Sequence, residues 1–529
     1  MRLSLLADSL ATEMPDIVLT TLNAKYIHAA FGLRYLMANL GLLASRAALI
    51  EFDINQRPLD IAEMILAREP RIVGFGVYIW NVAPTTEVVS IIKRLRPDIT
   101  IVLGGPEVSY ETEGQRIVEL ADCVITGEAD LKFAEVCEKL LEGSLPPEKI
   151  IPAELPDFSQ LALPYDLYND QDLAHRIIYV EASRGCPFSC EFCLSSLDIP
   201  VRQVPLPAML RQFKRLLDRG VRHFKFVDRT FNLNVSISRA ILEFFLEHYS
   251  PGHFFHFEMV PDRLPEALRE IIKRFPAGVL QFEVGIQTFN QEVGALIKRR
   301  QNYHQLEENL RFLRTETGVY VHADLIAGLP GESLESFGAG FDRLVALGPQ
   351  EIQIGILKRL RGTPIIRHDA AWAMIYNPQP PYEILETKLL NFATMQKVRR
   401  FARYWDLIGN SGNFVETTPL IWSAQPSAFH AFMRWSEWLH GCVGRTDSIA
   451  LMRLMEFLFN FLTTELGLDA KNIAEVMWRD YQRGGRRDKP DFLRPLLSQN
   501  IQLTRQQQPH AGIPKRQRRQ QNLDPAQAR

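Results

Sequence analysis

From residue 15 onward, short apolar runs alternate with longer stretches of helical period. "DIVLTTLN", "RAALIEFDIN", "RIVGFGVYIW", "DITIVLGGP" and "ADCVITGE" are each too short and too rich in β-branched residues to be helices, and turn residues bound them. Between them, residues 29–42, 61–67, 85–95 and 131–141 place apolar side chains three and four apart, which predicts amphipathic helices. Strands that are apolar throughout and joined by helices make a parallel, doubly wound α/β sheet, here over residues 15–142. Such sheets bind ligands beyond the carboxyl ends of their strands.

Residues 143–172 are proline-rich and without a clean period, so they read as a linker. A second series of strands follows: "RIIYVEASRG", "HFKFVD", "FFHFEMV", "VLQFEVGIQ", "VYVHADLIAG" and "EIQIGILKRL", with helices such as 206–219 and 264–274 between them. Six βα units over residues 173–370 predict a partial (β/α) barrel, short of the eight-strand form. Strands then stop, and 371–498 reads as a mainly α-helical domain with six tryptophans. The Gln- and Arg-rich tail, 499–529, is expected to be disordered.

Composition adds little beyond exclusions. The 529 residues carry a net charge of −2 and are 46% hydrophobic, so several ordinary cores are expected and overall charge makes no case for nucleic acid. No run of 18 apolar residues suggests a membrane span, and residues 1–10 lack the cleavage pattern of a signal peptide. A cytoplasmic, monomeric protein is expected. The six cysteines include two in predicted core elements, Cys123 and Cys137, and a solitary Cys442, so they do not form a disulfide framework.

The other three form "CPFSCEFC": Cys186, Cys190 and Cys193, in a loop directly after a predicted strand. Three thiolates at this C-x3-C-x2-C spacing can wrap one compact soft-metal centre. A closed structural zinc site wants a fourth ligand, and only distant candidates such as His223 or Cys442 exist. A four-iron cluster held by three thiolates instead leaves one iron open to a small molecule.

In this setting the motif resembles that of the radical S-adenosylmethionine superfamily. The preceding α/β domain is similar to the cobalamin-binding class of that superfamily, and the helical C-terminal region to a subgroup with an extra domain (DUF4080-like). The resemblance implies a Rossmann-like cobalamin-binding domain, then a TIM-like (β/α)6 radical barrel. It implies a 4Fe-4S cluster on the three cysteines, S-adenosylmethionine on the open iron, and cobalamin in the first domain. It further implies reductive cleavage to a 5′-deoxyadenosyl radical, an electron donor such as flavodoxin or ferredoxin, and a small-molecule substrate. Methyl transfer to an unactivated carbon is the leading expectation. Cobalamin-dependent rearrangement or cyclisation, methylthiolation, and a non-catalytic cobalamin or redox sensor are the alternatives. Methylthiolation is disfavoured, because such proteins carry extra cluster cysteines in the first domain and here only Cys123 and Cys137 are available.

By the same resemblance, Phe192 lies near adenine and Asp228, after "FKFV", receives the amine of S-adenosylmethionine. "FEVGIQ" touches the ribose and amino-acid end, and "DLIAGLPG" lies near adenine through Asp324, Gly328 and Gly331. Glu283, Gly285 and Gln287 have period two and so share one strand face. Glu258 and His256 are polar positions in an apolar strand, pointing to a lumen role or a buried ion pair; Glu258 and Asp228 are the candidate catalytic residues. Gly362 and Pro364 suggest a closing turn. In the first domain the D-x-H-x-x-G motif that offers imidazole to cobalt is absent, and His28 lacks its context. Candidate cobalamin contacts are Tyr78, Trp80 or Asn81 on the lower face, with Gly104, Gly105, Thr126, Gly127 and Glu128 at strand ends, where glycine lets backbone approach a flat ring.

Overall fold

The computed structural model describes residues 14–198, 200–497 and 514–521. Two parallel sheets of six strands each organise it. The first contains β1 (Ile17–Asn23), β2 (Ala47–Asp53), β3 (Ile72–Gly76), β4 (Thr100–Gly104), β5 (Cys123–Thr126) and β6 (Ile150–Pro152), in the order β2-β1-β3-β4-β5-β6. All pairs are parallel, and the order reverses at β1, as in doubly wound folds. Every residue of β1 and β3 is buried, which explains their lack of charged residues; Thr20, Thr21 and Asn23 are the polar ones.

The segment expected to be only a linker does more. Ile150–Pro152 adds the sixth strand, and Phe158, Tyr165 and Tyr168 are buried against the second sheet. A three-residue strand that includes a proline carries no readable period, so this edge strand is invisible in the sequence pattern.

The second sheet runs in chain order: β7 (Ile178–Val180), β8 (His223–Phe226), β9 (Phe254–Met259), β10 (Leu280–Gln287), β11 (Tyr320–Ala327) and β12 (Glu351–Ile356). All neighbours are parallel, giving the expected partial barrel. Burial alternates along β10 and β11, with apolar residues packed against the outer helices and polar ones half-buried toward the lumen. Phe213, Phe224, Phe226, Phe245, Phe255 and Phe257 form the aromatic centre of that packing, and each buried ring contributes about 1.5–3 kcal/mol.

The C-terminal region is mainly helical, but a short antiparallel pair, Ile375–Tyr376 with Ile384–Glu386, opens it. Its helices Phe392–Leu407 and Ala428–Val443 pack through Phe401, Trp405, Phe432 and Trp435. The tail expected to lack structure contains the helix Lys515–Gln521. Gln517 reaches Gln281, Gln520 reaches Tyr320, and Arg516 pairs with Asp406 at 2.9 Å. Amides and guanidinium groups dock this helix, so it shows no apolar stripe to read. The rest of the tail, and residues 1–13, lie outside the described residues. No described helix is long and apolar enough to cross a membrane.

The two sheets are tied together by buried polar contacts. Arg34 bridges Glu51 and Asp172, each at 2.8 Å, and Arg176 joins Glu51 at 2.7 Å. Glu107, in the loop after β4, accepts from Tyr382 (2.6 Å) and Arg361 (2.9 Å). His28 meets the Tyr179 hydroxyl of β7 at 2.6 Å and lines neither cavity described below.

Candidate functional site

Cys186, Cys190 and Cys193 all line one cavity of about 140 Å³ at the carboxyl ends of the barrel strands. The cysteine loop is closed by a two-residue pairing, Ser183–Arg184 with Arg202–Gln203. Gly185 sits between them with φ of 87°, and a Cβ there would lie 2.8 Å from the Asp198 and Pro200 carbonyl oxygens, so only glycine makes this turn. Glu191, between the second and third cysteines, is buried; it takes His368 at 2.7 Å, Arg367 at 3.0 Å and Lys298 at 3.2 Å. Those three side chains fasten the cysteine loop to the end of the barrel.

Phe192, Glu258, Glu283, Gly285, Gln287 and Asp324 face the same cavity. Gln287 reaches it through a register irregularity with φ of 72°, an uncommon conformation for a non-glycine residue, and its buried Oε1 has no partner among the described residues. Burial opposes ionisation of Glu283, but His256 at 2.9 Å, with Lys225 and His322, outweighs it and holds the carboxyl well below its usual range. Burial raises Glu258, only partly countered by Arg229 at 3.2 Å. Burial also raises Asp324, against the pull of His322. One cavity thus holds a firmly anionic carboxylate beside two that resist ionisation, a pattern typical of functional sites.

Asp228 does not face this cavity. It is buried behind the cysteine loop, accepting from Ser183 Oγ at 2.6 Å and Ala182 N at 2.9 Å, and burial pushes its pKa up to about 7. The chain turns after β8 ends at Phe226, so strand alternation no longer applies, and it is Arg229 that lines the cavity. Gly328 and Gly331 are also structural. Each has positive φ, and an added Cβ would meet Ile384 at 2.5 Å or Leu296 at 2.8 Å.

Arg299 was not singled out in the sequence. It donates to Cys190 Sγ at 3.6 Å and to the Gly285 carbonyl, and its place is set by the Asn290-capped helix Gln291–Leu296. The only sequence signal is the basic run "IKRR", which by composition is an ordinary solvated patch. A guanidinium beside thiolates favours their charged form.

The residues fit an iron–sulfur cluster. Three free thiols border one cavity, and the Arg299 guanidinium donates to one of them. Among the described residues no three His, Cys, Asp or Glu are gathered tightly enough to grip a single ion. The zinc alternative also lacks its fourth ligand. His223 begins β8 at the opposite end of the barrel, and Cys442 is exposed on an outer helix.

A second cavity, about 300 Å³, opens at the carboxyl ends of the first sheet. Its walls are apolar side chains and Gly74, Gly76, Gly104, Gly105 and Gly127, with an ionic group of Glu128, Asp130, Glu181 and Arg184 on one side. Gly105 has φ of 106°, and a Cβ would lie 2.5 Å from the Val77 carbonyl. Tyr78 lines the cavity, stacked on Trp80 with ring centres 4.5 Å apart. Asn81 does not line it. Its buried amide donates to Thr21 Oγ1, Leu22 O and Gly76 O while accepting from Tyr78 N, which builds the turn that presents Tyr78. Thr126 likewise is not among the walls. Apolar walls with glycine backbone at strand ends suit a large flat macrocycle with an extended tail.

Arg184 connects the two sites. It lines the second cavity, lies two residues before Cys186, and pairs with Glu128 (2.8 Å), Asp130 (2.9 Å) and Glu181 (3.0 Å). Its guanidinium also covers the Tyr35 ring at 4.4 Å.

Comparison with known proteins agrees with this geometry. Residues 17–137 match the B12 binding domain, 180–344 the radical SAM superfamily, and 370–528 a protein family of unknown function, DUF4080. The chain is a cobalamin-binding member of the radical S-adenosylmethionine superfamily. Its cofactors are accordingly a 4Fe-4S cluster, S-adenosylmethionine and cobalamin. An uncharacterized methyltransferase of Pyrococcus horikoshii is 29% identical over 199 residues, 33% of this chain and 43% of that protein. A ribosomal protein uS12 methylthiotransferase of Pelobacter propionicus is 28% identical over 182 residues, 31% and 40% respectively. The chain therefore spans about two fifths of these relatives' length. Among solved structures, the methyltransferase TsrM of Kitasatospora setae with cobalamin and [4Fe-4S] cluster bound is similar at a TM-score of 0.59 and 15% identity, covering 89% of this chain and all of that one. The cobalamin-dependent enzyme OxsB is similar at 0.59 and 14%, covering 89% and 79%. At such identities these likenesses speak to the fold.

Proposed function

We propose that this protein is an enzyme that cleaves S-adenosylmethionine reductively and uses cobalamin to methylate an unactivated carbon of a small molecule. The observation that carries the proposal is a cavity at the carboxyl ends of each of two parallel sheets, with Arg184 in the wall of the first and two residues before Cys186, which lines the second. When bound, the cluster would supply one-electron chemistry and cobalamin a transferable methyl group.

The chain's own residues orient and protect. Cys186, Cys190 and Cys193 would hold the cluster, with Arg299 stabilising its negative charge. Glu283, kept anionic by His256 and Lys225, would take the cationic end of S-adenosylmethionine. Phe192 would pack against the adenine, and Glu258 with Arg229 would face the substrate. Tyr78 would border cobalamin from the wall of the first-sheet cavity, and His28, bonded to Tyr179, does not line that cavity. An external one-electron donor, such as flavodoxin or ferredoxin, would reduce the cluster. Methylthiolation, the activity named for the Pelobacter propionicus relative, is the less favoured reading. Cys123 and Cys137 are buried in the first domain, burial raising their thiols to about 11 and about 12, so they offer no second cluster site.

The test is turnover under anaerobic, reducing conditions with trideuteromethyl-labelled S-adenosylmethionine and a pool of small molecules. Labelled product with S-adenosylhomocysteine is expected. Deoxyadenosine without labelled product would instead indicate rearrangement or cyclisation, and neither product would remove the case for catalysis.

A further inference from the structure

A third cavity, about 160 Å³, lies at the amino-terminal end of β12, remote from the strand ends that hold the other two. It sits where the barrel meets the C-terminal helices. Arg314, in the last turn of the helix Tyr303–Glu316, lines it half-buried. Among the described residues this guanidinium has no hydrogen bond and no carboxylate partner, and burial alone acts on it, pulling its pKa down. The Trp405 ring, 6% exposed, lines the same cavity, and its Nε1–H has no acceptor.

The other polar groups at this cavity are occupied. Gln350 accepts from Val321 N at 2.8 Å and donates to Val319 O at 3.3 Å. Thr418 donates to Phe414 O at 2.6 Å, and Gln520 donates to Gln350 O at 2.9 Å. What remains is two spare donors, one of them charged. A buried donor without a partner, as at Trp405 Nε1–H, costs about 1–3 kcal/mol. Both residues line one space, and the complement of two such donors is an anion with at least two acceptor oxygens. Trp435 and Trp478 also have ring N–H groups unpaired among the described residues, but they do not line this cavity.

The remaining walls set the shape. Pro349, Ile352, Val415 and Pro419 are apolar, and Trp422 lies nearly parallel to Trp405, ring centres 6.2 Å apart and planes 30° apart. Gly409 seats the chain directly on Trp405; a Cβ there would lie 2.6 Å from the ring. We propose that this cavity is a second ligand site, which binds a small carboxylate with a flat apolar body. The carboxylate accepts from Arg314 and from Trp405 Nε1–H, and the body lies against Trp422. The site straddles the junction between the barrel and the C-terminal region, so it gives that region a binding role independent of the methylation chemistry.

Fluorine NMR titration of the full-length protein with 4-fluorobenzoate and 4-fluorobenzamide tests this. Saturable binding of the acid is expected, with the neutral amide at least about tenfold weaker, the size of a charge-assisted contact. Arg314→Gln should weaken the acid about tenfold, and Trp405→Phe severalfold, with unchanged circular dichroism and melting. Arg314 is half-exposed, so its variant decides the matter if Trp405→Phe fails to fold. Equal affinity for acid and amide, an acid affinity unmoved by Arg314→Gln, or no saturable binding would each overturn the proposal.

Discussion

The two sheets share a plan and differ in how they make a site. In the barrel, the cavity is lined by ionisable side chains: Glu258, Glu283, Asp324, Arg229 and Arg299. In the first sheet the corresponding cavity is more than twice as large and is lined by apolar residues and glycine backbone, with ionic groups confined to the Arg184 rim. The difference suits the guests. A small cationic sulfonium needs fixed charges, and a large macrocycle needs volume and close backbone approach. Side-chain chemistry leaves letters in a sequence, whereas absent side chains leave only glycines, which also serve turns. Gly328 and Gly331 were expected near adenine and are turns; Gly104 and Gly105 were expected near a ring and do line the cavity.

The contrast can be broken one side at a time. The largest effect is expected from Cys190→Ala, which should abolish the iron–sulfur absorbance and cleavage of S-adenosylmethionine while cobalamin is still retained. Iron and cobalt content of the same preparation checks both halves. The mirror-image change is Gly104→Leu. A Cβ at Gly104 has ordinary room, 3.7 Å from the Ile125 carbonyl, so the longer side chain should fold and fill the cavity. It should remove cobalamin and leave the cluster spectrum intact.

A smaller effect is expected from Arg299→Met. Loss of a cation at Cys190 Sγ should lower the cluster's reduction potential and slow deoxyadenosine formation roughly tenfold, with iron content unchanged. Potentiometric titration followed by EPR reads this directly.

The last effect concerns stability rather than chemistry and leaves the comparison of the two cavities untouched. Burial raises Asp228 from about 3.8 when unfolded to about 7 in the folded protein. Above the unfolded value the unfolded chain has lost a proton that the native chain keeps, so native stability falls as pH rises through about 4 to 7 and then levels. Asp228→Asn can keep an acceptor for Ala182 N and removes that titration. Its denaturant midpoint should gain on the unmodified protein between pH 5 and pH 8, by an amount on the order of a few kcal/mol in stability. A constant difference across that range would show that Asp228 ionises freely.

Much of the fold was legible because both sheets are parallel and buried, which writes strands as apolar runs and helices as amphipathic stretches. The edge strand β6, the Ile375–Glu386 hairpin and the tail helix were not. They are short, or they dock through amides and guanidinium groups, and neither property has a period. At the site, the cysteines, Phe192 and the period-two residues of β10 were readable. Asp228 and Asn81 were misplaced because each lies just past a strand end, where alternation stops and a turn decides direction. Arg299 and Glu191 were missed because their partners come from elements distant in sequence.

The measurement that bears most directly on the account is the cofactor content of protein purified anaerobically from cells supplied with cobalamin. One four-iron cluster and one cobalamin per chain, both retained through gel filtration, is the predicted result. An intact cluster without cobalamin would contradict it, because the large glycine-walled cavity would then have another purpose and methyl transfer through cobalt would fall.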